Sequence, residues 1–155
     1  MAFAIRDIDL IAYDERGQAL LLVLVKGRND TSELWAAQYR RNLLSHDTLP
    51  AAPFFLIATS DRMYFWRQRG GDLEEDLPHF TLDATSEFKP YLDRLKLTPE
   101  KAWGEVLELI VFYWLNEIAE GGQSRAKEDP AIRWLAESGL LAALRKPRIE
   151  IGVVQ

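Results

Sequence analysis

A chain of 155 residues and 17.8 kDa, 48% hydrophobic and 28% charged, has the size and composition of one globular domain, which excludes a disordered, collagen-like or low-complexity chain. It contains no cysteine, so a disulfide framework, a thiol nucleophile, an iron–sulfur cluster and Cys-ligated zinc are excluded as well. The net charge of −5 excludes a polycation that coats nucleic acid, but the charge is uneven: residues 26–69 carry 7 basic against 4 acidic side chains, and residues 70–100 carry 3 against 8.

The opening residues reach Arg6 and Asp7 after a short apolar stretch, and the longest apolar run is Leu109 to Leu115. Neither suits a signal peptide or a membrane span, and the expectation is a soluble, cytoplasmic protein with no membrane partner. Residues 5–13 alternate, residues 19–26 are rich in Leu and Val, and Asp14-Glu15-Arg16-Gly17 between them suits a hairpin loop. Residues 31–45 have helical spacing, capped by Asp30 or Thr31. Phe54 to Thr59 and Arg62 to Arg67 read as a second hairpin turning at Ser60-Asp61. Residues 69–87 hold two glycines, Asp72, Glu74, Glu75, Asp76 and Pro78, and read as an exposed acidic loop. Phe88 to Leu95 suggests a short helix. Thr98 and Pro99 open a long one, with Trp103, Val106, Leu107, Ile110, Val111, Trp114 and Ile118 as its core stripe. Asp129-Pro130 starts a last helix, weakened at Ser138-Gly139, and residues 148–154 alternate like a closing edge strand. The expected fold is α/β, a mixed sheet of four to five strands flanked by helices, forming a single domain over 1–155 with its core motif at 5–67 and a C-terminal helical cover and last strand at 88–155.

The first hairpin brings Asp9 and Lys26 to one end of the sheet, and alternation puts Leu24 and Lys26 on one face of their strand, so Asp9, Leu24 and Lys26 are expected to converge on one cleft. An Asp on one strand and a residue-x-Lys on its hairpin partner resembles the PD-(D/E)XK nuclease superfamily, the restriction-endonuclease-like phosphodiesterases. The resemblance spans roughly the first 67 residues by element order and spacing. It implies a restriction-endonuclease-like fold and assigns site roles to Asp9, Lys26 and Gln38, the last from the helix that follows. It also implies Mg²⁺ or Mn²⁺ held by Asp9 and the backbone carbonyl of Val25, with Lys26 orienting water or stabilising charge on phosphate. Leu24 stands where that family has its second acid. A divalent cation of this kind wants carboxylate oxygens, so Leu24 removes a ligand. Glu33 or Asp7 is the replacement acid if the acid has moved.

Arg28, Arg40 and Arg41, with Trp35, Tyr39, Tyr64 and Trp66 interleaved, are the candidates for phosphate contact and base stacking on DNA or RNA. His46 and His79 are far apart and form no HxH or HExxH pattern, and there is no GxSxG, GxxxxGK[ST] or GxGxxG motif. Three readings follow from the residues and the resemblance together. The leading one is a nuclease-like protein with impaired catalysis, retained for nucleic-acid or protein binding. The others are an active metal-dependent nuclease with a relocated acid and an unrelated protein-interaction module. The apolar surplus on the long helix adds the expectation of a homodimer through that helix or the final strand.

Overall fold

The computed structural model describes residues 8–46, 49–68, 76–145 and 148–151, so Asp7 lies outside the described residues. Among the described residues six strands form one open mixed sheet: β1 (Leu10–Tyr13), β2 (Ala19–Val25), β3 (Phe54–Ala58), β4 (Arg62–Arg67), β5 (Phe80–Asp83) and β6 (Arg148–Ile151). Their spatial order is β5-β4-β3-β2-β1-β6. Only β2 and β3 are parallel, and the helix α1 (Glu33–His46) makes the crossover that such a pair requires. The other four pairings are antiparallel.

Both hairpins form, although the first strand covers only Leu10–Tyr13 of the expected 5–13, of which residues 5–7 lie outside the described residues. Gly17 turns the first at φ +80, a conformation open to residues without a Cβ, and Asp14 anchors that turn by accepting from the amides of Arg16 and Gln18. The second turns on Thr59, whose hydroxyl oxygen accepts from the amide of Arg62 at 3.0 Å.

Alternation along the central strands divides the core into two layers. Leu22, Leu24, Phe55, Ile57, Tyr64 and Trp66 face α1 and pack with Ile11, Ala36 and Leu43. Leu21, Val23, Val25, Phe54, Leu56, Ala58 and Phe65 face the other way, toward the C-terminal helices α2 (Ala84–Leu95), α3 (Gly104–Glu128), α4 (Arg133–Glu137) and α5 (Leu140–Ala143). With both faces covered, the inner strands read as continuous apolar runs, and each buried Leu or Ile contributes about 1.5–3 kcal/mol relative to exposure.

Several expectations are corrected here. The sheet has six strands rather than four or five, because Phe80–Asp83, inside the stretch read as loop, pairs with β4. Its Asp83 then caps α2 by accepting from the Thr85 amide, and α2 starts four residues before Phe88. Helix α1 is capped by Ser32, whose hydroxyl accepts from the Trp35 amide at 3.0 Å, rather than by Asp30 or Thr31. Thr98 and Pro99 open only a 3-10 turn over Pro99–Lys101, and the long helix starts after Trp103. Trp103 is consequently off the core stripe and 65% exposed. No helix among the described residues is long and apolar enough to cross a membrane.

Candidate functional site

The parallel strands β2 and β3 end side by side, and in open α/β sheets the crevice beyond such carboxyl ends is where ligands collect. Lys26 follows the last residue of β2, and its amide donates to the Ala58 carbonyl at 2.9 Å, which fixes the end of the pairing. β1 is antiparallel to β2, so Asp9, just ahead of β1, arrives at the same end. The Asp9 amide donates to the Val23 carbonyl at 2.9 Å. Its carboxylate oxygen Oδ2 accepts from the Val25 amide at 2.7 Å, taking the place of a ladder partner.

The two groups reach this end from different sides. The Lys26 ammonium lies 4.9 Å from the centroid of the Tyr39 ring, on the α1 layer. The Asp9 carboxylate meets Glu108 of α3, in the opposite layer, and the Glu108 carboxyl is held above the usual carboxylate range by burial first and by Asp9 beside it second. Leu24, in the acid position of acid-x-Lys, is 2% exposed and packs among Ile57, Tyr64 and their neighbours.

Other expected site residues lie elsewhere. Gln38 is on the exposed side of α1, where it lines an open groove of about 440 Å³ with Arg41, Asn42 and Ser45. The turn of helix beside Lys26 presents Tyr39 instead. Glu33 accepts from the Thr81 hydroxyl at 2.5 Å. Thr81 is on β5, four strands away from β1, and at about 4.8 Å per strand the separation is roughly 19 Å, so Glu33 and Asp9 do not share an ion.

The three arginines separate sharply. Arg28 is exposed, with its guanidinium 5.4 Å from the Trp35 ring centroid, and Arg41 is exposed in the α1 groove. Arg40 is 1% exposed: it lies 5.1 Å from Trp66 and 5.7 Å from Phe55, and its Nε and a terminal nitrogen donate to the Gln68 side-chain oxygen at 3.2 and 2.7 Å. Burial lowers its pKa to about 10, against the opposing pull of Asp76. Arg40 is a core residue and is withdrawn as a nucleic-acid contact.

The chain's own donors can be tested against the metal that the family resemblance implies. Asp9 has one carboxylate oxygen already engaged by the Val25 amide, Leu24 supplies no oxygen, and among the described residues no group of three or more His, Asp or Glu side chains is suited to an ion. With Glu108 beside Asp9, the side-chain donors at this end are two carboxyl groups, in place of the Asp9 and residue-24 pair that the resemblance implies.

A second depression, about 260 Å³, lies between α2 and α3. Its buried Glu87 accepts from the Trp114 indole at 3.0 Å and from two nitrogens of Arg125 at 2.7 and 2.5 Å, while Arg125 also donates to Asp129. Those groups spend their hydrogen bonds on one another and clamp the helices.

Two features at this end of the molecule are absent from the sequence reading, one without a sequence signal and one with it. Glu108 meets Asp9 across most of the chain, which no local period encodes. Trp103 has a signal that was available: Gly104, next to it, is a helix breaker with φ +59, which separates Trp103 from the helical stripe. No protein-family model, curated protein or solved structure matches the chain.

Proposed function

We propose that the chain is a PD-(D/E)XK nuclease-like protein with impaired catalysis, retained to bind nucleic acid at the carboxyl end of β2 and β3. The observation that carries this reading is the hydrogen bond from the Val25 amide to the Asp9 carboxylate, which joins the Asp strand to the residue-x-Lys strand. The strand order β6-β1-β2-β3-β4, with only β2 and β3 parallel and a helix crossing between them, suits a restriction-endonuclease-like sheet in which β6 supplies the strand outside β1. Leu24, buried on the face that carries Lys26, argues for lost catalysis. Lys26 and Arg28, exposed or half-exposed above aromatic rings, argue for retained phosphate contact.

The test is an oligonucleotide titration at low salt with and without Mg²⁺ or Mn²⁺, followed by gel analysis of the oligonucleotide. Binding without cleavage is expected. Absence of binding to DNA and RNA alike overturns the reading in favour of a protein-interaction module. One observation favours a second reading, an active enzyme with a relocated acid: Glu108, rather than Glu33, stands beside Asp9. Metal-dependent cleavage by the wild type, lost in both Asp9→Asn and Glu108→Gln, would establish it.

A further inference from the structure

Among the described residues β6 (Arg148–Ile151) ends the sheet, with β1 as its one neighbour. An edge strand turns half of its backbone N–H and C=O groups outward, where another strand can bond to them. The side chains beside that edge decide which strand it takes. Arg148 and Glu150 stand opposite Tyr13 and Ile11 in the β1 register, on the α1 face of the sheet. Ile149 and Ile151 stand opposite Ala12 and Leu10, on the α3 face, and Ile151 is left 41% exposed.

Charged side chains ordinarily discourage edge pairing, because a run of one sign repels a second copy of itself. This edge carries both signs, two residues apart on one face. Arg148 donates to Glu150 along the strand, and its guanidinium is set over the Tyr13 ring, 4.4 Å from the centroid, so the pair is ordered before anything binds. Both side chains remain open to water.

The edge fits its own inverted copy in one register. A two-fold axis perpendicular to the sheet keeps each face on its own side, so a residue of β6 stands opposite one of the same face in the partner. That excludes an axis between two residues. An axis through Arg148 or Glu150 sets that charge opposite its own copy, and one through Ile151 sets neither charge against the other. An axis through Ile149 sets Ile149 against Ile149 on the α3 face and, on the α1 face, Arg148 against Glu150 of the partner subunit, twice. Each charge keeps its own-strand partner and gains another across the axis, so four charges alternate in sign. The antiparallel order also sets the Ile151 end of one copy, where Asp9 and Glu108 lie, beside the end of the other that Arg145 leads into. The opposite edge of the sheet, β5, carries Asp83 alone and has no such self-complement.

We propose that β6 pairs with β6 of a second copy of this chain about a two-fold axis at Ile149, joining two six-stranded sheets into one. A four-residue seam is short, so the association is weak and depends on concentration. The axis points the β2–β3 ends of the two copies in opposite directions, so association and nucleic-acid binding are separate properties.

The experiment is sedimentation velocity of the wild type, of Arg148→Glu, of Glu150→Arg and of the two variants mixed in equal amounts, from about 10 to about 500 µM, the range in which seams under about 1,200 Å² associate. The wild type should pass from monomer to dimer. Each variant alone sets like charges across the axis and should associate at least about tenfold more weakly. The mixture restores opposite charges at both crossings and should form a heterodimer about as tightly as the wild type does, which an effect confined to the pair within one strand does not produce. In the wild type, hydrogen exchange at the β6 amides should slow as concentration rises, a readout that needs no variant to fold. A wild type that stays monomeric throughout overturns the proposal. So does a mixture that associates no more tightly than either variant alone, or a dimer whose formation leaves exchange at β6 unchanged.

Discussion

Arg28 and Arg40 present the same chemistry in two places. Each guanidinium rests on an indole in the α1 layer, 5.4 Å from Trp35 and 5.1 Å from Trp66 respectively. Arg28 is exposed beyond the end of β2, where its donors are hydrated and a phosphate can exchange with water. Arg40 is sealed between Phe55, Trp66 and Gln68, and a ligand would have to open the core to reach it. Residue type and aromatic company are therefore shared by the proposed phosphate-binding cation and a structural one, and burial tells them apart. Arg125 is intermediate: half-exposed, but committed to Glu87 and Asp129, which raise its pKa above the ordinary value.

The sharpest way to break this contrast is to truncate both arginines. Arg40→Ala should cost about 3 kcal/mol or more in urea denaturation, through the cavity beside Phe55 and Trp66 and the Gln68 oxygen left without its donors. Arg28→Ala should stay within about 0.5 kcal/mol of wild type. Equal costs would show that burial does not separate the two roles.

The clamp gives the next largest effect. Glu87→Ala leaves the Trp114 indole and the Arg125 guanidinium without their buried acceptor, and about 3 kcal/mol is expected, again from denaturation. Glu87→Gln keeps an acceptor for Trp114 and should lose about half as much. Oligonucleotide affinity should not change in either variant, as the clamp lies outside the site.

Binding reverses the ranking. Lys26→Ala and Arg28→Ala should each weaken oligonucleotide binding several-fold, and each should reduce the slope of log affinity against log salt by about 0.7 to 0.9 if it holds one phosphate. Arg40→Met, measured where it remains folded, should leave that slope unchanged.

The smallest effect concerns the acid side of the same sheet end. The Glu108 pKa is raised in the folded protein, by burial and then by Asp9, so the folded state binds more protons than the unfolded state once pH exceeds the ordinary glutamate range. Stability is then lost as pH rises from that range through the folded pKa. Glu108→Gln should melt higher than wild type at neutral pH, and the difference should vanish at pH below the ordinary carboxylate range. A gap that persists in acid would mean that the substitution acts through packing.

The elements legible in the sequence were those whose pattern is local. Arg62–Arg67 and the α1 helix emerge from alternation and spacing because each is patterned within its own residues. β5 escaped because Phe80-Thr81-Leu82-Asp83 is a short stretch beside an acidic run, and its pairing to β4 is what makes it a strand. At the site, the hairpin predicts that Asp9 and Lys26 face one cleft beside Gln38; they share a sheet end, but Lys26 turns to Tyr39 in the α1 layer, Asp9 turns to Glu108 in the opposite layer, and Gln38 lies on the exposed side of α1. The shared face fails because Asp9 sits ahead of the regular strand and its carboxylate bends to the Val25 amide, out of the alternation. Gln38 and Tyr39 are neighbours on α1, and a one-residue difference in helical phase, about 100°, decides which of them meets Lys26. Arg40 is not legible as a core residue because a basic residue is usually a surface residue, whereas here Phe55, Trp66 and Gln68 enclose it and Asp76 opposes its desolvation.

The pairing of β1 with β6 has a kinetic consequence. Leu10–Tyr13 is bonded to β2 on one side from early in the chain, but its other edge waits for Arg148–Ile151. Closing that edge joins segments from opposite ends of the sequence, a loop-closure cost that local hairpins escape, so β6 should dock among the last events of folding. During synthesis, until residues 148–151 emerge, the nascent protein carries an open strand edge with Leu10, Ile11 and Ala12 along it, a template for pairing with neighbouring chains.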